Sequence, residues 1–178
     1  MRKLETPLTD EAVRGLQAGE DVLLSGVLYT ARDAAHQRLM KALDAGAELP
    51  LALRGQVIYY CGPAPTPPGS AIGSAGPTSS YRMDPYTPRL CSLGLKATIG
   101  KGDRAVQVRE ACRDHRCVYL VAVGGAGALL ADCVIEAEVV AYEELGPEAL
   151  RKLVVKDLPL TVAYDCEGGS AFPGDGEL

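Results

Sequence analysis

Tryptophan is absent from this 178-residue chain, phenylalanine occurs once and histidine twice. Its core cannot lean on large aromatic side chains, so small aliphatics, chiefly Val, Leu and Ala, must build it. No apolar run reaches the ~20 residues that span a bilayer; the longest, such as Val118–Val123, have strand length. The start, Met1-Arg2-Lys3-Leu4-Glu5, has no apolar stretch behind it and does not read as a signal peptide, so a cytoplasmic protein without membrane segments is expected. No block of Lys or Arg appears and the net charge is −5, which argues against a broad nucleic-acid surface. A small anion needs only a few well-placed cations and stays open as a ligand. The six cysteines, at 61, 91, 112, 117, 133 and 166, include no C-x-x-C pair, and no His lies at zinc-finger spacing from a Cys pair. They read as buried, reduced thiols rather than a metal site or a disulfide framework.

What is present fits one domain over residues 1–178, long enough to bury a sizeable core. Thr9–Ala18 reads as a short helix capped by Thr9 or Asp10. Val22–Tyr29 reads as a strand, and Thr30-Ala31-Arg32-Asp33 as a hydroxyl-capped helix start running to about Ala45. Further strands are expected at Val57–Tyr60, Ala97–Ile99, Val118–Val123, Val134–Tyr142, Leu153–Val155 and Leu160–Tyr164. A helix is expected over Ala105–His115, and another from Asp84-Pro85 to about Leu93. Gly124-Gly125-Ala126-Gly127 reads as a tight turn. The tail from about residue 167 is Gly-rich and is expected to be loosely held. Alternating strands and helices, followed by clustered strands, indicate α/β with a mixed sheet.

Seven of the twelve prolines fall between Pro63 and Pro88, in one long irregular segment. Such segments inside a compact domain are usually functional or disordered. This one leads into Gly76-Pro77-Thr78-Ser79-Ser80-Tyr81-Arg82-Met83-Asp84, which concentrates hydroxyls, a guanidinium and a carboxylate. Thr78 and Arg82 share a face if the stretch turns helically, forming either a carboxylate cradle or an N-cap beside a solvated Arg. Asp84 reads as a cap. Arg32 opens its helix where free N–H groups already favour an anion, with Asp33 beside it and His36 four residues on. Lys101 lies between two glycines after a strand, but Ile99-Gly100-Lys101-Gly102 lacks the spacing of a nucleotide-binding loop. His115, among charged residues at a helix end, is given no function, and no nucleophile elbow is present.

Thr30-Ala31-Arg32-Asp33-Ala34-Ala35-His36, Cys61-Gly62-Pro63, Gly76-Pro77-Thr78-Ser79 with Arg82-Met83-Asp84, Gly100-Lys101-Gly102 and Gly124-Gly125-Ala126 occur in that order. The series resembles the beta subunit, or C-terminal domain, of the iron–sulfur class I fumarate hydratases and the related L(+)-tartrate dehydratases, from about Pro7 to Phe172. The resemblance implies a swivelling β/β/α domain that closes over an alpha subunit, with that partner's own cysteines holding a 4Fe-4S cluster and this chain binding none. It implies reversible addition of water to a C4 dicarboxylate, fumarate to L-malate, and admits a homodimer through this domain. By position, Arg32, Arg82 and Lys101 match the substrate-carboxylate binders. Thr78 matches the threonine near the proton removed at C3, as base or as hydrogen-bond donor. His36 and Asp33 would support them, His36 by orienting Arg32 or its loop. The sequence departs from the family at Tyr81, where a small residue is the commoner neighbour of Arg-Met. Two other readings compete: the beta subunit of a tartrate dehydratase, and a non-catalytic dicarboxylate-binding domain. Arg82-Met83-Asp84 stands nearer the fumarase pattern than the tartrate one, which ends in Glu.

Overall fold

The computed structural model describes residues 1–122 and 126–178. In chain order its elements are β1 (Arg2–Glu5), α1 (Asp10–Arg14), β2 (Asp21–Thr30), α2 (Asp33–Asp44) and β3 (Val57–Tyr59). A 3₁₀ turn (Ser80–Met83), α3 (Thr87–Ser92), β4 (Ala97–Gly100) and α4 (Val106–His115) follow. The chain continues with β5 (Val118–Val121), α5 (Gly127–Asp132), β6 (Val134–Ala141), a second 3₁₀ segment (Glu143–Glu148) and β7 (Leu150–Tyr164). Among the described residues no helix is long and apolar enough to cross a membrane.

The sheet is mixed, as its alternating elements imply. Strands β1 to β5 pair in parallel with their neighbours, and β7 pairs antiparallel with β2, β5 and β6. Because β7 bonds both β2 and β5, strands β2-β3-β4-β5-β7 close on themselves as a five-stranded barrel. One edge of β7 follows β2 along its length. The other holds β6 over Leu150–Val155 and β5 over Thr161–Tyr164.

Period-two alternation decides which side chains enter the barrel. Val57, Tyr59, Ala97, Ile99, Val118, Leu120, Leu153 and Val155 belong to one buried cluster. Their neighbours Ile58 and Tyr60 pack outward against Ala35 and Leu39 of α2 and Leu90 of α3. Tyr119 and Ala163 pack against Ala111 and Cys112 of α4. Five of the six thiols are buried, the exception being the half-buried Cys133, and all six are free.

Several boundaries differ from the sequence reading. The segments Leu153–Val155 and Leu160–Tyr164 are one strand, because a bulge absorbs the break that Lys156-Asp157-Leu158-Pro159 suggests. The register slips opposite Leu24–Gly26, Asp157 adopts φ 50°, and its N–H bonds Ser25 Oγ at 2.9 Å. The first helix spans only Asp10–Arg14, with Thr9 Oγ1 accepting the Ala12 N–H. The helix expected from Asp84 starts at Thr87, since Asp84 is drawn into another contact described below. Gly127, the last residue of the expected tight turn, begins the short helix α5. The last residue of the strand expected to Val123, and Gly124-Gly125 of the turn, lie outside the described residues.

The tail is held, contrary to its composition. The buried Arg109 guanidinium donates to the Gly168 carbonyl at 2.8 and 2.5 Å and to Gly176 at 2.6 Å. Asp165 accepts the Glu167 and Gly169 N–H groups, and Phe172 meets Tyr164 edge-on at 5.6 Å. A buried guanidinium must find acceptors, and glycine carbonyls are free to supply them.

The long Pro-rich segment is irregular but closed at its base. The Ala64 N–H bonds the Ser74 carbonyl at 2.9 Å, the Ala75 N–H bonds Gly127 at 3.0 Å, and the Tyr59 hydroxyl donates to the Ala75 carbonyl. Residues 64–71 form an exposed tip beyond that closure.

Barrel packing predicts the cost of hollowing it. Leu153→Ala, at a fully buried position of β7, should lower unfolding free energy by about 2–5 kcal/mol in urea titration.

Candidate functional site

Four parallel strands, β2 to β5, send their carboxyl ends to one rim, the usual place for ligands in α/β proteins. Arg32 follows the end of β2, Cys61-Gly62 the end of β3, and Lys101 the end of β4. The Thr78–Met83 stretch crosses this rim between β3 and β4. There the Thr78 N–H bonds the Tyr60 carbonyl at 2.7 Å, and the Ser80 N–H bonds the Lys101 carbonyl at 3.0 Å. Ser79 and Lys101 form an isolated parallel bridge, and the Lys101 N–H returns a bond to Ser80 Oγ at 3.0 Å. Gly100 permits this approach: a β carbon there would collide with the Ser80 hydroxyl and lie 2.9 Å from the Tyr60 ring. The helical pairing expected of Thr78 and Arg82 does not form. Only Ser80–Met83 turns, and Thr78 precedes it.

Asp33 joins the two arginines. Its Oδ1 accepts Arg82 Nε at 2.9 Å, and its Oδ2 lies 3.7 Å from Arg32 Nη2. Arg32 is the N-cap residue of α2 but makes no side-chain cap, and Thr30 makes none either, because it ends β2 fully buried. Glu148, from the segment before β7, takes that place: its Oε1 accepts the Ala34 N–H at 3.3 Å and lies 4.0 Å from Arg32 Nε. Arg32 lies flat on Gly62, whose missing β carbon would stand 3.1 Å from Arg32 Cδ. Arg32 Nε and Asp33 Oδ2 are buried without a hydrogen-bond partner among the described residues. Unsatisfied buried polar atoms are rare and mark sites that hold strain or a ligand.

The three cations therefore stand on three loops over one rim. Lys101 is exposed and has no ion pair among the described residues. The Thr78 hydroxyl, half-buried, likewise has no hydrogen-bond partner among them. Such an arrangement can grip an anion carrying two separated negative groups, with guanidiniums offering paired bonds and the ammonium a point charge.

His36 lies behind the rim. A carbonyl only accepts, so the 2.8 Å contact to the Arg32 carbonyl puts the proton on Nδ1 and leaves Nε2 a bare acceptor, buried and without a partner among the described residues. Its ring stacks on Tyr86 and meets Tyr60 edge-on, each at 5.5 Å. Burial, helped by the Arg104 charge, pushes its pKa down to about 4, against the opposing pull of the Arg32 carbonyl and Asp33. His36 thus steadies the Arg32 backbone as a neutral group. His115 is exposed at the end of α4.

Among the described residues no three His, Cys, Asp or Glu side chains converge as a metal site. Burial pushes the Cys61 thiol up to about 12 and raises that of Cys112. Cys61 and Cys112 are therefore protonated, buried thiols in this fold.

Arg104 escaped the sequence reading. Its side chain is fully buried, with Nε on Asp84 Oδ1 at 2.5 Å. Asp84 Oδ2 also accepts the Ala105 N–H at 2.7 Å, so Asp84 holds the start of α4 rather than that of α3. Glu148 was missed too. It stands far from Arg32 in sequence, and only the tertiary fold brings them together.

Known proteins supply the family. A family model described as Fumarase C-terminus matches residues 2–174. The chain belongs to the fumarase C-terminus family. It is 44% identical over 151 residues, 84% of its length, to the anaerobic class I fumarate hydratase of Escherichia coli (strain K12), and spans 28% of that protein. It is 41% identical over 156 residues to fumarate hydratase 2 of Leishmania major, covering 86% of this chain and 28% of that one. A Methanocaldococcus jannaschii protein named "Putative L(+)-tartrate dehydratase subunit beta" is 37% identical over 171 residues, 93% of this chain and 88% of that one. All five ordered motifs of this fumarase C-terminus domain lie within the matched residues.

The buried imidazole gives a signed pH dependence. The unfolded His36 binds a proton near its ordinary 6.5 and the folded one only near 4, so stability should fall as pH drops through that window. The loss should reach on the order of 3 kcal/mol at its acid end. Urea unfolding at stepped pH should show that loss in the wild type and not in His36→Gln. Equal slopes in both proteins would remove His36 as its source.

Proposed function

We propose that this chain supplies the cationic half of a C4-dicarboxylate site in a class I fumarate hydratase, which adds water across fumarate to give L-malate and reverses the step. The observation that carries the reading is the placement of Arg32, Arg82 and Lys101 on three loops at one rim of the barrel. Asp33 and Glu148 hold the arginines until a substrate carboxylate displaces them. A dianion needs two or three such partners, preorganised so that charge developing at C3 meets fixed positive groups. Arg32, Arg82 and Lys101 bind the carboxylates. Thr78 stands where the C3 proton would be handled, either as the base or as a hydrogen-bond donor to a carboxylate. A neutral hydroxyl is a poor base, so the first role requires activation by a nearby cation such as Lys101.

The 4Fe-4S cluster belongs, on this reading, to an alpha partner, where it would act as a Lewis acid toward a carboxylate and the departing hydroxyl. The close match in extent to a protein named as a beta subunit supports a two-chain arrangement. The same match favours a second reading, tartrate dehydratase, whose substrate carries one more hydroxyl. A cytoplasmic setting suits six free cysteines, which persist in reducing compartments.

The test is turnover of the chain assembled with a cluster-bearing partner, followed anaerobically by fumarate absorbance. Arg82→Ala or Lys101→Ala should lower kcat/KM by roughly 10²–10³-fold, the scale of losing one charge-stabilising group, without shifting Tm. Near-normal turnover in either variant removes that residue from the site. Activity of this chain without a partner would sink the divided site, and faster turnover of L-tartrate than of fumarate would favour the second reading.

A further inference from the structure

We infer that Arg104 is a positioning residue of this site: its buried guanidinium holds Asp84, Tyr60 and Tyr119 and thereby sets the places of Arg82, Thr78 and Lys101. The inference rests on the proposed dicarboxylate site.

The guanidinium is used in every direction. Nε bonds Asp84, Nη1 reaches Thr98 Oγ1 at 3.3 Å, and Nη2 reaches Thr87 Oγ1 at 2.8 Å and the Tyr60 hydroxyl at 3.2 Å. Its faces lie on the Tyr60 and Tyr119 rings, 5.1 and 4.8 Å from their centroids. A lysine cannot copy this, because its single ammonium offers neither the planar fork nor two stacking faces.

Each partner has a second end at the rim. Asp84 follows directly on the turn that carries Arg82. The Tyr60 backbone carbonyl accepts the Thr78 N–H. The Tyr119 hydroxyl lies 2.8 Å from Ser80 Oγ and donates to the Gly102 carbonyl at 2.7 Å, bracketing Lys101 from both sides. Among the described residues, the rim loops have no sheet pairing of their own beyond the Ser79–Lys101 bridge. Arg104 therefore does for the Thr78–Asp84 and Lys101 loops what strand pairing does for the barrel, and it never touches the substrate.

The test combines amide hydrogen exchange of the full chain with kinetics of the assembled enzyme. In Arg104→Lys, the amides of Thr78, Ser80 and Lys101 should lose protection by about tenfold or more while β2 and β7 keep theirs. The kcat/KM for fumarate should fall by about 10²-fold, as expected for a misplacement of about 1 Å. Tyr119→Phe keeps the ring under the guanidinium and removes only its hydroxyl. It should loosen Ser80 and Lys101 but not Thr78, with a smaller fall in kcat/KM. If Arg104→Lys does not fold, this second variant decides. Unchanged protection at the three amides, or equal loosening of Thr78 in Tyr119→Phe, would overturn the inference. Normal turnover of both Arg82→Ala and Lys101→Ala would instead refute the proposed function, leaving the exchange result standing.

Discussion

Pairing of β7 with both β2 and β5 is the constraint on which everything else depends. Four parallel strands alone would leave two open edges, each a row of unpaired backbone groups. One long antiparallel strand satisfies both and closes the barrel. Parallel neighbours require each connection to return the chain to the same end. The segments leaving β2, β3 and β4 therefore all start from one rim, and residues far apart in sequence become neighbours there. The bulge at Asp157 belongs to the same device, since it lets a single strand bend from one set of partners to the next.

The site's electrostatics suit a protein that is acidic overall. Arg82 and Arg32 are compensated by Asp33 and Glu148 through pairs a quarter to two-fifths exposed. Ion pairs that wet are worth about 0–1 kcal/mol. On the proposed reading, exchanging them for the carboxylates of an arriving dianion would be close to balanced, so little binding energy would go into releasing the arginines. The Arg104–Asp84 pair is of another kind. It is dry and multiply bonded, and removing either member leaves an uncompensated buried charge.

Much of this was legible in the residues. Strands β2 to β6, α2 and α4 followed from short apolar runs and helix-start residues, β1 was not foreseen, and the ordered motifs fell at the loops of the rim. What failed did so for tertiary reasons. Thr30 looked like a cap, but sheet pairing keeps it in β2 and Glu148 caps α2 from across the fold. Asp84 looked like the start of α3, but the buried Arg104 claims one of its oxygens and the Ala105 N–H the other. The Gly-rich tail looked loose because nothing local reveals that Arg109 needs its carbonyls. Arginines are seldom buried, so neither Arg104 nor Arg109 announced itself.

The closed base of the Pro-rich segment has a consequence for how this domain can vary. The Ala64–Ser74 and Ala75–Gly127 bonds fix the two ends of the tip, so its length is decoupled from the position of Thr78. Doubling such a loop adds only about 0.6 kcal/mol of closure entropy. The tip is therefore free to lengthen, shorten or change its sequence among descendants of this chain, while Thr78 and Arg82 behind it keep their address.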